Sequence, residues 1–247
     1  MAIALRLADV GNTGSLNEIG TIGKFKLGVF GGRGLMKDSL EIFVERLASA
    51  ELLVNVCNHY SYEKLDNLIR RNNLLLYLRQ MRMLNPNIMF VGEAPGYHGC
   101  RLTGVPFTSE YILLKGIREL GIFGIDAGYK KTDELPIVKK EQTATIIWET
   151  LIKHKITPLL WNAFPFHPYH EGNSSKNRNP SMSELVIGQE YLHEIIEIYG
   201  INTIVAVGNN AEISLHRLNM KCKKVRHPAN GGKPDFVAGI NEILEMA

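Results

Sequence analysis

The chain has few cysteines, little net charge and no long apolar run, and each shortage removes a class of function. Its three cysteines, Cys57, Cys100 and Cys222, lie far apart with no C-x-x-C pair. That leaves neither a disulfide framework nor a paired-thiolate metal site, and scattered thiols of this kind read as small buried residues. No apolar stretch approaches the roughly 20 residues needed to cross a bilayer. The N-terminal MAIALRLADVGNTG lacks both a basic lead-in and a long apolar run, so neither a membrane span nor a secretory leader is expected, and a cytoplasmic location is the default. A formal net charge of +3, with pI near 8.7, permits a polyanionic partner without requiring one.

What is present is ordinary for a folded protein: 45% hydrophobic and 21% charged residues over 247 positions. That length suits one large α/β domain at least as well as two small ones. Residues 1–35 are glycine-rich and weakly patterned, and are expected to be an irregular or loosely attached extension to a single domain over 36–247. Met36 is an alternative start, because MKDSLEIFVERLASAELL reads at once as a helix with Asp38 or Ser39 near its N-terminus.

Apolar residues between Tyr62 and Leu84 recur at three- and four-residue spacing, which predicts a helix ended by Asn85-Pro86. Four short apolar runs bounded by turn residues predict buried parallel strands: Ile88–Val91, Pro158–Phe164, Thr203–Val207 and Lys221–Val225. Further helices are predicted from Thr108 to Gly121, from Gln142 to His154, from the capping box at Ser181–Glu184, from Asn210 to Leu218, and from Pro234 to Met246. Asn173–Asn179 (NSSKNRN) reads as a flexible polar loop. The alternation implies a three-layer α/β/α fold with a short, mostly parallel central sheet.

In such sheets ligands bind beyond the carboxyl ends of the strands. Three polar clusters fall there: Gly92-Glu93-Ala94-Pro95-Gly96 after the first strand, Asn162 near the end of the second, and Arg226-His227-Pro228-Ala229-Asn230 after the fourth. The first cluster is a poor phosphate cradle. It matches neither G-x-x-x-x-G-K-[ST] nor G-x-G-x-x-G, Pro95 has no N–H to donate, and Glu93 repels an anion. It suits a neutral, planar or sugar-like ligand, offered a few backbone amides and one carboxylate.

Taken in order, GEAPG followed by Gly104-Val105-Pro106-Phe107, then WNAFPFHPY from Trp161, Asn177-Arg178-Asn179-Pro180-Ser181, TIVAVG from Thr203, and Arg226-His227-Pro228 resemble the motifs of the uracil-DNA glycosylase superfamily. They are most similar to its thermostable iron–sulfur branch (GEAPG…GxPF). The resemblance spans roughly Ile88 to Lys233. It implies hydrolysis of the N-glycosidic bond of a uracil flipped out of DNA, in base excision repair, by a monomer. No amine nucleophile stands in these motifs, so strand cleavage through a Schiff base is not expected.

Under that resemblance Phe107 stacks the flipped base, the Asn162 amide pairs with N3–H and O4 of uracil, and His227 donates to O2 as the bond breaks. Glu93 either activates the attacking water or fixes the turn. Gly92, Ala94, Pro95 and Gly96 line the base, and Arg178, Asn230 and Lys233 contact DNA. The chain also departs from the pattern. Phe166 replaces a cluster cysteine and no cysteine lies near Gln189-Glu190-Tyr191, so no iron–sulfur centre, metal or organic cofactor is expected. Ala229 stands where the family's HPS motif has serine. Ala94, as throughout the GEAPG branch, stands where the best-known uracil-DNA glycosylases have a catalytic aspartate, and Gly96 stands where those enzymes place a tyrosine against C5 of uracil. These changes leave two alternatives: a glycosylase for another deaminated base such as hypoxanthine, and a non-catalytic nucleic-acid binder.

Overall fold

The computed structural model describes residues 37–245; the expected N-terminal extension and the alternative start at Met36 lie outside them. Helix α1 (Ser39–Ala48) opens on a capping box. The Asp38 carboxylate accepts from the backbone N–H groups of Leu40 and Glu41, and Glu41 returns to the N–H of Asp38. After the two-residue strand β1 (Val56–Cys57), α2 (Asp66–Leu84) ends at Asn85 in the left-handed conformation, φ 49°. Then follow β2 (Ile88–Gly92), the single turn α3 (Cys100–Thr103), α4 (Glu110–Lys115), α5 (Gln142–His154), β3 (Leu159–Asn162), β4 (His167–His170) and β5 (Asn173–Asn177). The chain closes with α6 (Met182–Tyr199), β6 (Thr203–Val207), α7 (Asn209–Arg217), β7 (Lys223–Val225) and α8 (Lys233–Glu245).

Strands β2, β3, β6 and β7 make a wholly parallel sheet in the order β3-β2-β6-β7, flanked by helices, as the alternation predicts. The three central runs are strands because most of their residues are buried, including Phe90, Val91, Leu160, Trp161, Val205 and Ala206, whereas in β7 only Val225 is. Phe43 of α1 packs on Trp161 of β3 with ring centroids 5.5 Å apart. Tyr77 of α2 ties itself to β3 by accepting from the Leu160 N–H at 2.8 Å. The chain leaves β2 on one side for β3 and returns to its other side for β6. The strand order therefore reverses at β2, and a crevice opens beyond its carboxyl end.

Two segments differ from expectation. The helix begun near Thr108 stops at Gly116, φ +76°, whose absent Cβ would stand 3.1 Å from the Gly124 Cα. The chain doubles back there, with Ile117 bridged to Ile122. The Asn173–Asn177 stretch is no free loop: it forms β5, antiparallel to β4, which pairs with β1 in a second, three-stranded sheet. All five of its residues are exposed, so no apolar alternation marked it as a strand.

Candidate active site

Register places the site. Gly92 is paired with Asn162, so the turn after β2 and the amide at the end of β3 stand side by side. Phe107 comes from the loop before α4 with φ +51°, a left-handed conformation that costs a bulky residue energy. Trp148 of α5 fastens it, donating Nε1–H to the Phe107 carbonyl at 3.1 Å. The ring then crosses Gly92 so closely that a Cβ there would lie 2.5 Å from Phe107 Cζ and 2.7 Å from Asn162 Oδ1. Position 92 is glycine because ring and amide share the space a side chain would take. Asn162 is buried, and its amide makes only one long contact, Nδ2 to Cys100 Sγ at 4.0 Å.

Two lobes of a cleft meet here, of about 410 and 590 Å³. Ala94, Phe107, Asn162 and His227 line both. The first lobe adds Gly92, Glu93, Asn210 and Asn230; the second adds Pro95, Gly96, Tyr97, Glu141, Lys176 and Asn177. Of the residues singled out in the sequence, nine therefore stand together. Arg178 and Lys233 line neither lobe. Arg178 grips Glu184 with both terminal nitrogens, at 2.5 and 2.7 Å, and donates to the carbonyls of Tyr169 and Asn55. Lys233 pairs with exposed Glu149 at 3.1 Å.

His227 packs against Gly208, φ +92°, where a Cβ would lie 2.8 Å from the histidine Cβ. Its Nδ1 accepts from the Ala229 N–H at 3.2 Å, which puts the ring proton on Nε2. Burial holds its pKa below the usual histidine value, with the Arg226 charge in the same direction and Glu141 opposing, so the ring is neutral at pH 7. Glu93 is half-buried and accepts from Asn210 Nδ2 at 3.2 Å. Burial raises its carboxyl above the ordinary range, against the pull of Asn210 and Arg217. A neutral donor and a basic carboxylate thus face one cleft.

The turn between them is braced from outside. His167 of β4 meets the Pro95 carbonyl through Nδ1 at 2.8 Å, and Tyr97 donates its N–H to Asn177 Oδ1 at 3.1 Å. Among the described residues no group of three or more His, Cys, Asp or Glu could hold a metal ion.

Comparison with known proteins follows this geometry. A family model described as the uracil DNA glycosylase superfamily matches residues 80–243. The chain belongs to this superfamily. Among solved structures, wild-type SMUG2 of Pedobacter heparinus matches with a TM-score of 0.54 at 15% identity, over 84% of this chain and 97% of that one. That likeness concerns the fold. No curated protein matches significantly. Family and fold are those of DNA glycosylases, hydrolases that act on DNA. Phe166 and Tyr191 pack edge-to-face with ring centroids 5.7 Å apart.

Several cleft residues of this superfamily member escaped the sequence reading. Glu141 caps α5, accepting from the N–H groups of Thr143 and Ala144, and lines the second lobe. Its one signal was its place immediately before a helix. Asn210 and Tyr97 carried no motif, and only tertiary structure brings them to the strand ends; Asn177 belonged to a motif but was given no role at the cleft.

Proposed function

We propose that the protein is a monofunctional uracil-DNA glycosylase of the base-excision type. The observation that carries this reading is His227, a neutral ring whose Nδ1 accepts from the Ala229 N–H, which leaves the proton on Nε2, and which lines the same cleft as Asn162 and Phe107. With uracil rotated out of DNA onto Phe107, Asn162 Nδ2 donates to O4 and Oδ1 accepts N3–H. The C1′–N1 bond breaks, the electron pair stays on the base, and the His227 N–H stabilises the charge that develops on O2. Water then bonds to C1′ and yields its proton to Glu93, whose raised pKa suits a base.

The test uses oligonucleotides with one uracil, hypoxanthine or xanthine, treated with alkali after incubation to reveal abasic sites. Uracil release is expected, falling 10²–10³-fold in His227→Ala, the size found when one such donor is lost. Strand scission without alkali overturns the monofunctional assignment, and tight binding without release from any substrate points to a non-catalytic binder.

A second base is favoured by one observation. A Cβ on Gly96 would meet nothing nearer than Asn177 Nδ2 at 3.8 Å, so the wall there has room for a wider ring. Hypoxanthine offers Asn162 the same N–H and carbonyl pair as uracil, and is the next substrate to try.

A further inference from the structure

Tyr97 lines the base cleft and also a separate polar cavity of about 340 Å³. Two arginines reach into that cavity while almost fully buried: Arg70, 2% exposed, and Arg101, 7% exposed. Both guanidinium groups converge on the single carboxylate of Glu134. Burial alone would raise that carboxyl, but Arg101 and Arg70 more than offset it, so Glu134 is ionised. Two buried cations share one exposed carboxylate, and the Arg101 guanidinium also lies 3.9 Å from the Tyr97 ring centroid, so one positive charge has no anion of its own.

Donors show where the imbalance sits. Every nitrogen of Arg70 has a partner: Nε donates to the Leu102 carbonyl at 3.2 Å, Nη1 to Asn67 Oδ1 at 2.6 Å, and Nη2 to Glu134. Arg101 differs. Its Nε donates to the Tyr97 carbonyl at 3.1 Å and Nη2 to Glu134 at 2.6 Å, while Nη1 has no hydrogen-bond partner among the described residues. Around it Ser61 Oγ already accepts from Asn67 at 3.0 Å and keeps its own proton to donate, and the adjacent exposed residues Glu63 and Lys64 also line the cavity. His167 also lines the cavity, with Nδ1 2.8 Å from the Pro95 carbonyl and Nε2 3.1 Å from the Ser174 carbonyl.

We propose that this cavity binds a phosphate-class oxyanion through Arg101 Nη1, Lys64 and the Ser61 hydroxyl. A tetrahedral anion fits the volume and accepts from all three donors. Its source is either a phosphate of the bound DNA strand or free inorganic phosphate. Because Arg101 Nε also holds the Tyr97 carbonyl, the anion stiffens the segment between the GEAPG turn and α3.

Thermal unfolding of the full chain in sodium phosphate, against sodium chloride of equal ionic strength, tests the site without reference to base release. Failure here leaves the glycosylase reading standing, and the reverse also holds. At tenfold the dissociation constant, phosphate is expected to raise Tm by about 3–6 °C. Lys64→Gln, at the exposed rim, weakens phosphate binding severalfold without unfolding the protein. Glu134→Gln keeps both guanidinium groups, removes the competing charge and tightens binding. Arg101→Gln abolishes the shift. A shift no larger than that of chloride, or one equal in all variants, overturns the proposal. Oligonucleotides with a neutral methylphosphonate at single positions around the target nucleotide identify the source. A loss of affinity at one position, absent in Lys64→Gln, assigns the anion to the strand, whereas no loss with phosphate binding retained assigns it to the free ion.

Discussion

A methyl group at position 92 would fall where the Phe107 ring and the Asn162 amide already meet. Neither can retreat easily, since Trp148 pins the backbone of Phe107 and the β2–β3 register pins Asn162. Gly92→Ala is therefore expected to lower kcat/KM at least tenfold while costing about 1–3 kcal/mol of stability, as overpacking does. Steady-state kinetics beside a urea melt checks both numbers. Glu93 is decided at the same scale. If it takes the water's proton, activity falls with acid as the carboxyl protonates, and burial sets that midpoint above the ordinary carboxylate value of 4.5. Glu93→Gln then loses most of the rate along with the acid limb of the pH profile. A Gln variant with near-normal rate and an unchanged limb assigns Glu93 to holding the turn through Asn210.

At the scale of elements, the junction of β5 and α6 shows how a motif residue can serve the scaffold. Glu184 is 2% exposed and does two jobs: it accepts from the Ser181 N–H in the capping box of α6 and receives both arms of Arg178. Removing one partner of such a pair strands the other, so Glu184→Ala is expected to cost about 2–4 kcal/mol by chemical denaturation. The capping box itself was plain in the sequence, because its signal is local. The β4–β5 hairpin was not, because Asn173–Asn177 is polar and exposed throughout and its strand character comes from pairing alone. The predicted helix reaching Gly121 failed for a related reason: Ile117 and Leu120 kept a helical spacing, but the close approach of Gly116 to Gly124 is a tertiary demand. Strand ends were legible and brought nine site residues together, whereas Glu141 and Asn210 arrive from helices whose sequence gave no hint of what they would face.

For the whole molecule, burial of histidine sets the response to acid. His59, His167 and His227 are each held below the usual histidine pKa, by burial first and then by neighbouring positive charge. His59 is 1% exposed and its Nδ1 has no hydrogen-bond partner among the described residues. In the unfolded chain all three titrate near 6.5. Below that pH the unfolded state binds more protons than the folded one, so stability falls as pH drops through about 6.5 and continues to fall toward the folded pKa values. Tm measured from pH 7.5 to 5.5 should decline steadily, and a flat profile contradicts this account.

The chain carries two tryptophans, both buried and each joined to a residue that lines the cleft. Trp148 is hydrogen-bonded to the backbone of Phe107, and Trp161 immediately precedes Asn162 on β3. The tryptophan emission of this protein thus originates beside two residues expected to hold the base, Phe107 and Asn162. Entry of a nucleobase onto Phe107 becomes an optical event, readable by stopped flow on unlabelled protein and separable in time from the chemistry that follows.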